Sequence, residues 1–411
     1  MSRPDPPPWR MAEQDALIAA LGQTDHELSR ELLARRIVAS LHERGFTITE
    51  SGLAPPNALD KDALRKMHAL SVQTQLQKAA PGLARHEARL LGRLVPGDAV
   101  DPERLRVRVV PVTAGSENEL LFRWVRLHWS IPTSPGYGRR LRFLIEDEHT
   151  GGLVGVIGLG DPVFALGPRD RWVGWDRTRR REALRHVMDA FVVGAVPPFT
   201  SLLGGKLVAS LLGCDEIVRA FAVAYGERDT VLAGRRGSQL ALVTTASALG
   251  RSSIYNRVAL DGRQLMTSVG ETLGSGDFHF AADLYEDMRV YAHAFCTPTA
   301  KRQEWGVGFR NRREVVRRVL LDLDLPDKLI YHGVKRELFT YPTGPTSREF
   351  LRGEVESPGS WGRTAAEIGW QAQQRWMLRR AANRRSWRTF DPMSWRLWSE
   401  RSVLPVPNAA D

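Results

Sequence analysis

Cysteine is nearly absent from this chain: Cys214 and Cys296 are the only two in 411 residues. A pair that sparse cannot build a disulfide framework, and without close histidines it makes a poor zinc site, so a reducing cytoplasm is the expected setting. The zincin pattern is missing as well. His-Glu occurs at His26, His42 and His86, but Arg30, Phe46 and Leu90 stand where a second histidine is needed. There is no Walker lysine motif. Gly155, Gly158 and Gly160 fail as a dinucleotide fingerprint, because Asp161-Pro162 follows where a helix must start. The longest nearly uncharged run, 192–213, contains Pro197, Pro198 and Lys206 and reads as buried core rather than a membrane span. MSRPDPPPWR has no apolar stretch of the kind a signal peptide requires. No internal repeat is visible. A soluble protein with no membrane association is therefore expected.

Positive charge is what the chain has in excess. The formal net charge is +11, and residues 301–400 hold 20 Lys/Arg against 12 Asp/Glu, or +8. Such a surface suits nucleic acid, an anionic membrane or a nucleotide-bearing ligand. A hydrophobic share of 43% and a charged share of 26% are those of a folded protein, and the length predicts two or three domains.

Local pattern predicts four regions. Residues 1–10 read as a disordered tail and 11–115 as an α-helical N-terminal module. In that module Leu28, Leu32, Leu33, Ile37 and Leu41 mark an apolar face, and Gly45 ends the helix. Residues 61–78 and 87–94 are further helical runs, 107–112 a short β-like run, and 115–118 a linker. Residues 116–355 read as an α/β (α+β) core. Its expected strands are 141–146, 153–159, 187–196, 240–245 and 264–269, and its expected helices 182–188, 202–212, 216–225 and 252–258. Residues 356–411 form a basic helical extension holding six of the twelve tryptophans.

The segment 187–206, VMDAFVVGAVPPFTSLLGGK, is the most informative. An apolar strand feeding a turn with Gly204, Gly205 and Lys206 and then a helix is a recipe for holding an anion, through free amides and a close-approaching backbone. The competing account is an ordinary strand–turn–helix with packing glycines. Four polar clusters join it. Tyr137, Arg139 and Arg140 suit phosphate or base contact, against a solvated turn. Arg169, Asp170, Trp172 and Trp175 place an aromatic wall beside an acid, against a sheet cap with Arg169 paired to Asp170. Ser252, Ser253, Tyr255, Asn256 and Arg257 follow a predicted strand end, where α/β proteins hold ligands; the alternative is Ser252 as a simple helix cap. A glycine-rich loop ends on His279, and His332 is a second candidate base. In the tail, Arg379 and Arg380 lie among six arginines interleaved with Trp361, Trp370, Trp376, Trp387, Trp395 and Trp398, a pattern suited to base stacking and phosphate contact. Packing of those tryptophans on the body of the protein is the alternative.

The ordered motifs GYGRRLRFLI, LGDPVFAL, RDRWVGW, MDAFVVGAVPPFTSLLGGKLVA, TTASALGRSSIYNRV, GETLGSGDFH and HGVKREL resemble the Druantia anti-phage system protein DruA family. The resemblance covers about residues 30–355. It implies a role in defence against phage, with DNA and other defence-system proteins as partners. A weaker similarity is to GNAT-type acyltransferases, in which a strand, a glycine-containing turn holding a coenzyme A pyrophosphate, a helix, a strand and a tyrosine-bearing helix follow in this order. That similarity implies a GNAT-like mixed sheet core with a CoA-like or nucleotide donor at Gly204, Gly205 and Lys206. Tyr255 would be the acid, with Asp170 or His279 as base. A non-catalytic DNA-binding adaptor is the rival reading. A metal-dependent nuclease would need Asp161, Asp170 and Asp189 to converge.

Overall fold

The structure, a computed structural model, describes residues 8–49, 52–56, 60–133, 138–228, 237–250, 252–274, 278–280, 282–299, 305 and 309–398. The chain divides into two compact units, one of Met1–Ser71 with Leu273–Lys335 and one of Val72–Thr272 with Arg336–Asp411. This division does not coincide with boundaries at 115/116 and 355/356. Composition locates a change along the chain, but it does not register a chain that leaves a unit and returns to it.

The first unit is built on helices Pro8–Gly22, His26–Glu43, Ala282–Phe295 and Phe309–Asp322, with a small hairpin of β1 (Thr47–Thr49) and β2 (Gly52–Ala54). Helix Pro8–Gly22 takes in three residues of the expected disordered tail; residues 1–7 lie outside the described residues. Asp25 caps the next helix by accepting from the Leu28 amide, and Gly45 follows its end in the left-handed region (φ 81°). Leu32, Leu33, Ile37 and Leu41 are buried as the periodicity predicts, whereas Leu28 is exposed. On its neighbouring face, Arg36 binds Asp287 (2.8 Å) on helix Ala282–Phe295.

The second unit is a seven-stranded mixed sheet. Its members are β3 (Val107–Pro111), β4 (Arg140–Asp147), β5 (Leu153–Gly160), β6 (Val187–Ala195), β7 (Leu242–Ala246), β10 (Thr267–Glu271) and β11 (Glu337–Pro342); β8 (Ala259–Leu260) and β9 (Arg263–Gln264) form a separate hairpin. The spatial order is β10-β11-β7-β6-β5-β4-β3, antiparallel throughout except for β6 beside β7. The expected strand at 264–269 divides between β9 and β10, and β11, which sequence pattern does not mark as a strand, lies inside the sheet.

Every residue of β5 is buried because helices cover both faces. On one face Phe143, Ile145, Ile157 and Leu159 pack with Leu207, Ile217, Ile368 and Ala372. On the other, Leu144, Val156 and Val192 pack with Leu90, Leu121, Phe122 and Trp124. Each such side chain contributes about 1.5–3 kcal/mol through burial. A register shift in β6 places one extra residue, Phe191, between the partners of Gly158 and Leu159, which puts Ala190 and Val193 on the same face.

Three local expectations change. The 115–118 linker is a helix start: Ser116 accepts from the Glu119 amide and begins Glu117–Val125. The helix expected at 182–188 ends earlier, at Ala183, and Val187 already belongs to β6. Residues 253–257 form successive turns rather than a helix. The tail is no appendage. Ala365, Ile368, Ala372, Met377 and Trp387 belong to the sheet core, and a Cβ on Gly369 would come within 2.8 Å of Val107.

Candidate functional site

The parallel pair β6–β7 places the candidate residues. Only Val187, Met188 and Asp189 pair with Leu242, Val243 and Thr244; beyond them the two strands part. Two side chains bridge the gap. Thr245 donates its hydroxyl to the Ala190 carbonyl (3.0 Å), and Tyr255 donates its own to the Val193 carbonyl (3.4 Å). The Tyr255 ring lies edge-on to Phe339 of β11, and burial pushes its phenol up to about 12.

Beyond the C-terminal end of β6 comes the glycine turn. The Pro197–Pro198 peptide is cis, a 3-10 turn spans Phe199–Leu202, and Leu203 (φ 63°) precedes helix Gly204–Ser210. Gly204 is a close-approach glycine, since a Cβ there would meet the Phe199 carbonyl at 2.7 Å. Gly205 has ordinary space, with Ile254 at 3.4 Å. Lys206 donates to the Asn256 carbonyl (2.6 Å) and lies 5.7 Å from the Trp376 ring centre. Arg375 sits over the same ring at 6.0 Å. Burial, then the charges of Arg257 and Arg375, hold the Lys206 ammonium below its usual range. Arg380 donates to the Ser201 carbonyl (3.2 Å), which ties the C-terminal helix to the turn. Ser252 accepts from the Ile254 and Tyr255 amides, as a cap would, and Ser253, Asn256 and Arg257 are exposed.

The N-terminal end of β6 is chemically different. Arg139 pairs with Asp161 (2.5 Å) and donates to the Arg185 and Val187 carbonyls. Gly138 (φ 64°) precedes it, where a Cβ would strike the Asp161 carboxylate. The Arg140 amide donates to the Tyr225 hydroxyl (2.8 Å). Arg169, fully buried, pairs with Asp170 (2.8 Å) and donates to the Val163 and Phe164 carbonyls. Asp170 also accepts from Arg180 (2.9 Å), the Trp175 indole (3.0 Å) and the Leu166 amide (3.1 Å). Burial alone would raise Asp170, but the Arg169 charge and these hydrogen bonds outweigh it and hold its pKa below the usual value. Trp172 carries Arg348 over its ring at 5.5 Å.

Asp189, on β6 itself, bonds the Thr244 hydroxyl and accepts from the Val163 amide (3.0 Å). Burial pushes it up to about 6, against the Arg169 charge and the amide. A single carboxylate inside VMDAFVVGA is the signal available in sequence, where it suggests no more than a metal ligand. Among the described residues no group of three or more His, Cys, Asp or Glu side chains is placed to hold a metal ion.

The candidate residues thus fall into two groups. Gly204, Gly205, Lys206, Tyr255, Asn256, Arg257 and Arg380 gather near the end of β6, and Arg139, Arg169, Asp170 and Trp175 near its start. His279 belongs to the first unit, where it is buried with its Nε2 2.7 Å from the Leu329 carbonyl oxygen, and burial lowers it to about 4. Tyr137 lies outside the described residues.

The tail resolves by residue type. Trp387 is buried, Trp395 stacks on His128 at 3.5 Å, Trp361 packs under Arg263 at 3.8 Å, and Trp376 and Trp398 are partly buried against the two cores. Trp370 is 61% exposed. Arg375, Arg379, Arg384, Arg385 and Arg388 are exposed, and no ion pair to any of them occurs among the described residues.

Fold and site together define a mixed α/β protein with a closed ion-paired network at one end of its central strand and, at the other, a cationic surface whose exposed arginines form no ion pair among the described residues. The chain belongs to the Druantia protein DruA family, whose family model matches residues 58–353. Druantia protein DruA of Escherichia coli (strain UMEA 4076-1) is 34% identical over 374 residues, covering 90% of this chain and 91% of that protein. No solved structure matches. Membership supports a role in anti-phage defence. Among the described residues no helix is long and apolar enough to cross a membrane.

Proposed function

We propose that this protein serves anti-phage defence by binding DNA through the cationic surface where the 196–206 turn meets the C-terminal helix, alongside other proteins of the defence system. One observation carries this reading. Lys206 and Arg375 both lie within about 6 Å of the Trp376 ring centre, with the Arg257 charge close to Lys206, while Arg379, Arg384, Arg385 and Arg388 add exposed charge with no carboxylate paired to them among the described residues. Exposed guanidiniums without an ion pair, on the helix that ends at Asn383 and on the turn that follows it, are free to exchange water and counterions for phosphates. Truncation before Trp361 would remove core residues, so point substitutions are the proper test. Binding of a labelled DNA duplex should fall steeply with salt, and alanine at Arg384, Arg385 and Arg388 should flatten that dependence. Salt-independent binding, or none at low salt, overturns the reading.

Group transfer is the second reading. It is favoured by the strand–glycine turn–helix–strand order and by the parting of β6 from β7, which fit a GNAT-like scaffold. Gly204, Gly205 and Lys206 would hold a CoA-like or nucleotide donor, and Tyr255 would be the acid. Asp170, held ionised by two guanidiniums, is a weak base; Asp189, raised to about 6, has the proton affinity the task asks for. A donor at 100 times its Kd should stabilise the fold by about 2.7 kcal/mol in thermal melts. Melts unmoved by coenzyme A and by nucleotides would remove this reading.

A further inference from the structure

The cationic surface carries one large aromatic side chain turned to solvent. The C-terminal helix runs from Ala365–Ala372 through a π turn, Gln373–Met377, into Leu378–Asn383. On its outward side the exposed positions are Trp370, Gln374, Arg375, Arg379 and Asn383, while Ile368, Ala372 and Met377 enter the core. The wide π turn accounts for the spacing. It makes the interval from Trp370 to Arg375 five residues, after which the interval to Arg379 returns to four, so indole and guanidiniums form one stripe. From Trp370 to Arg379 the stripe spans about 13 Å at the usual helical rise. The other tryptophans of the tail pack on the two cores, on His128 or, for Trp361, under Arg263, so packing accounts for them but not for Trp370. The acids beside the stripe are occupied: Glu367 closes a capping box with Thr364, Asp391 accepts from the Met393 amide, and Asp261, distant in sequence, pairs with Arg363 and accepts from Gln371.

Resting on the DNA-binding reading, we propose that this stripe is a site for single-stranded DNA, in which Trp370 stacks on an unpaired base while Arg375 and Arg379 hold the flanking phosphates. A duplex keeps its base faces covered and offers the same arginines only its backbone. A single strand offers both, and stacking on an aromatic ring discriminates between the two forms.

The test uses the full chain with a labelled mixed-sequence single strand and the matching duplex, titrated across a range of salt. Trp370→Ala should weaken single-strand binding about tenfold, leave duplex binding within about twofold and preserve the salt slope. Trp370→Phe should restore most of the loss. The paired change Arg375→Ala with Arg379→Ala should weaken both forms and lower the slope by about 2. Thermal melts of each variant should match the parent. A Trp370→Ala protein that binds the single strand unchanged, or loses both forms equally, overturns the inference while leaving DNA binding intact. Failure of the full chain to bind either form at low salt overturns the DNA-binding reading and this inference together.

Discussion

Near the start of β6, Arg139 and Arg169 each face a carboxylate; near its end, Lys206, Arg257 and Arg375 face none among the described residues. In sequence the two groups look alike, short basic runs next to aromatic residues. Their energetics are opposite. A buried guanidinium needs its partner, because the charge has lost water, so the first group is a structural lattice. The exposed guanidiniums of Arg257 and Arg375 lose little by waiting in solvent, and only Lys206, half-buried on the Asn256 carbonyl, is already engaged.

The largest test of that contrast is Asp170→Ala. It would strand the fully buried Arg169 and also free Arg180, and chemical denaturation should show a loss of about 3–5 kcal/mol. A loss under about 1 kcal/mol would break the comparison. At the other end, alanine at Arg384, Arg385 and Arg388 should leave stability within about 0.5 kcal/mol. The slope of log affinity against log salt should drop by about 0.9 for each phosphate that these arginines neutralise.

The two glycines of the turn sharpen the picture. Gly204→Val must push against the Phe199 carbonyl and should destabilise by about 1–3 kcal/mol, whereas Gly205→Ala meets only Ile254 at van der Waals distance and should be nearly silent in a melt. Equal effects at both positions would remove the distinction between packing and open glycine.

Asp189 gives a pH signature. Its folded-state pKa is raised from 3.8 to about 6, so the native state holds its proton more tightly than the unfolded chain. The group therefore costs stability as pH rises from about 4 to about 6, and the cost is complete above that. Asp189→Asn should lessen this loss, by about 1–2 kcal/mol at pH 7, in denaturation compared at pH 4 and pH 7. A small cost is also expected from Tyr255→Phe, which removes one long hydrogen bond and should lower stability by about 0.5–1 kcal/mol. A far larger fall in defence activity at that small cost would favour the group-transfer reading.

Much of this is legible in sequence. The apolar runs that form β4, β5 and β6 announce themselves because a strand covered on both faces must be hydrophobic along its length. Family membership rests on ordered motifs that survive any folding detail. The helical periodicity of residues 26–43 identifies its buried face, with Leu28 the exception.

What needs tertiary structure is anything that depends on a neighbour distant in the chain. Strand β11 is internal to the sheet only because β7 and β10 flank it, and the turns at 253–257 are held by Tyr255 reaching β6. The same principle divides the charges. A run of arginines fixes where positive charge lies along the chain, but its energy depends on whether a carboxylate and water are close in space. Asp170 and Asp161 stand beside one set and not the other, and only the fold could bring them there.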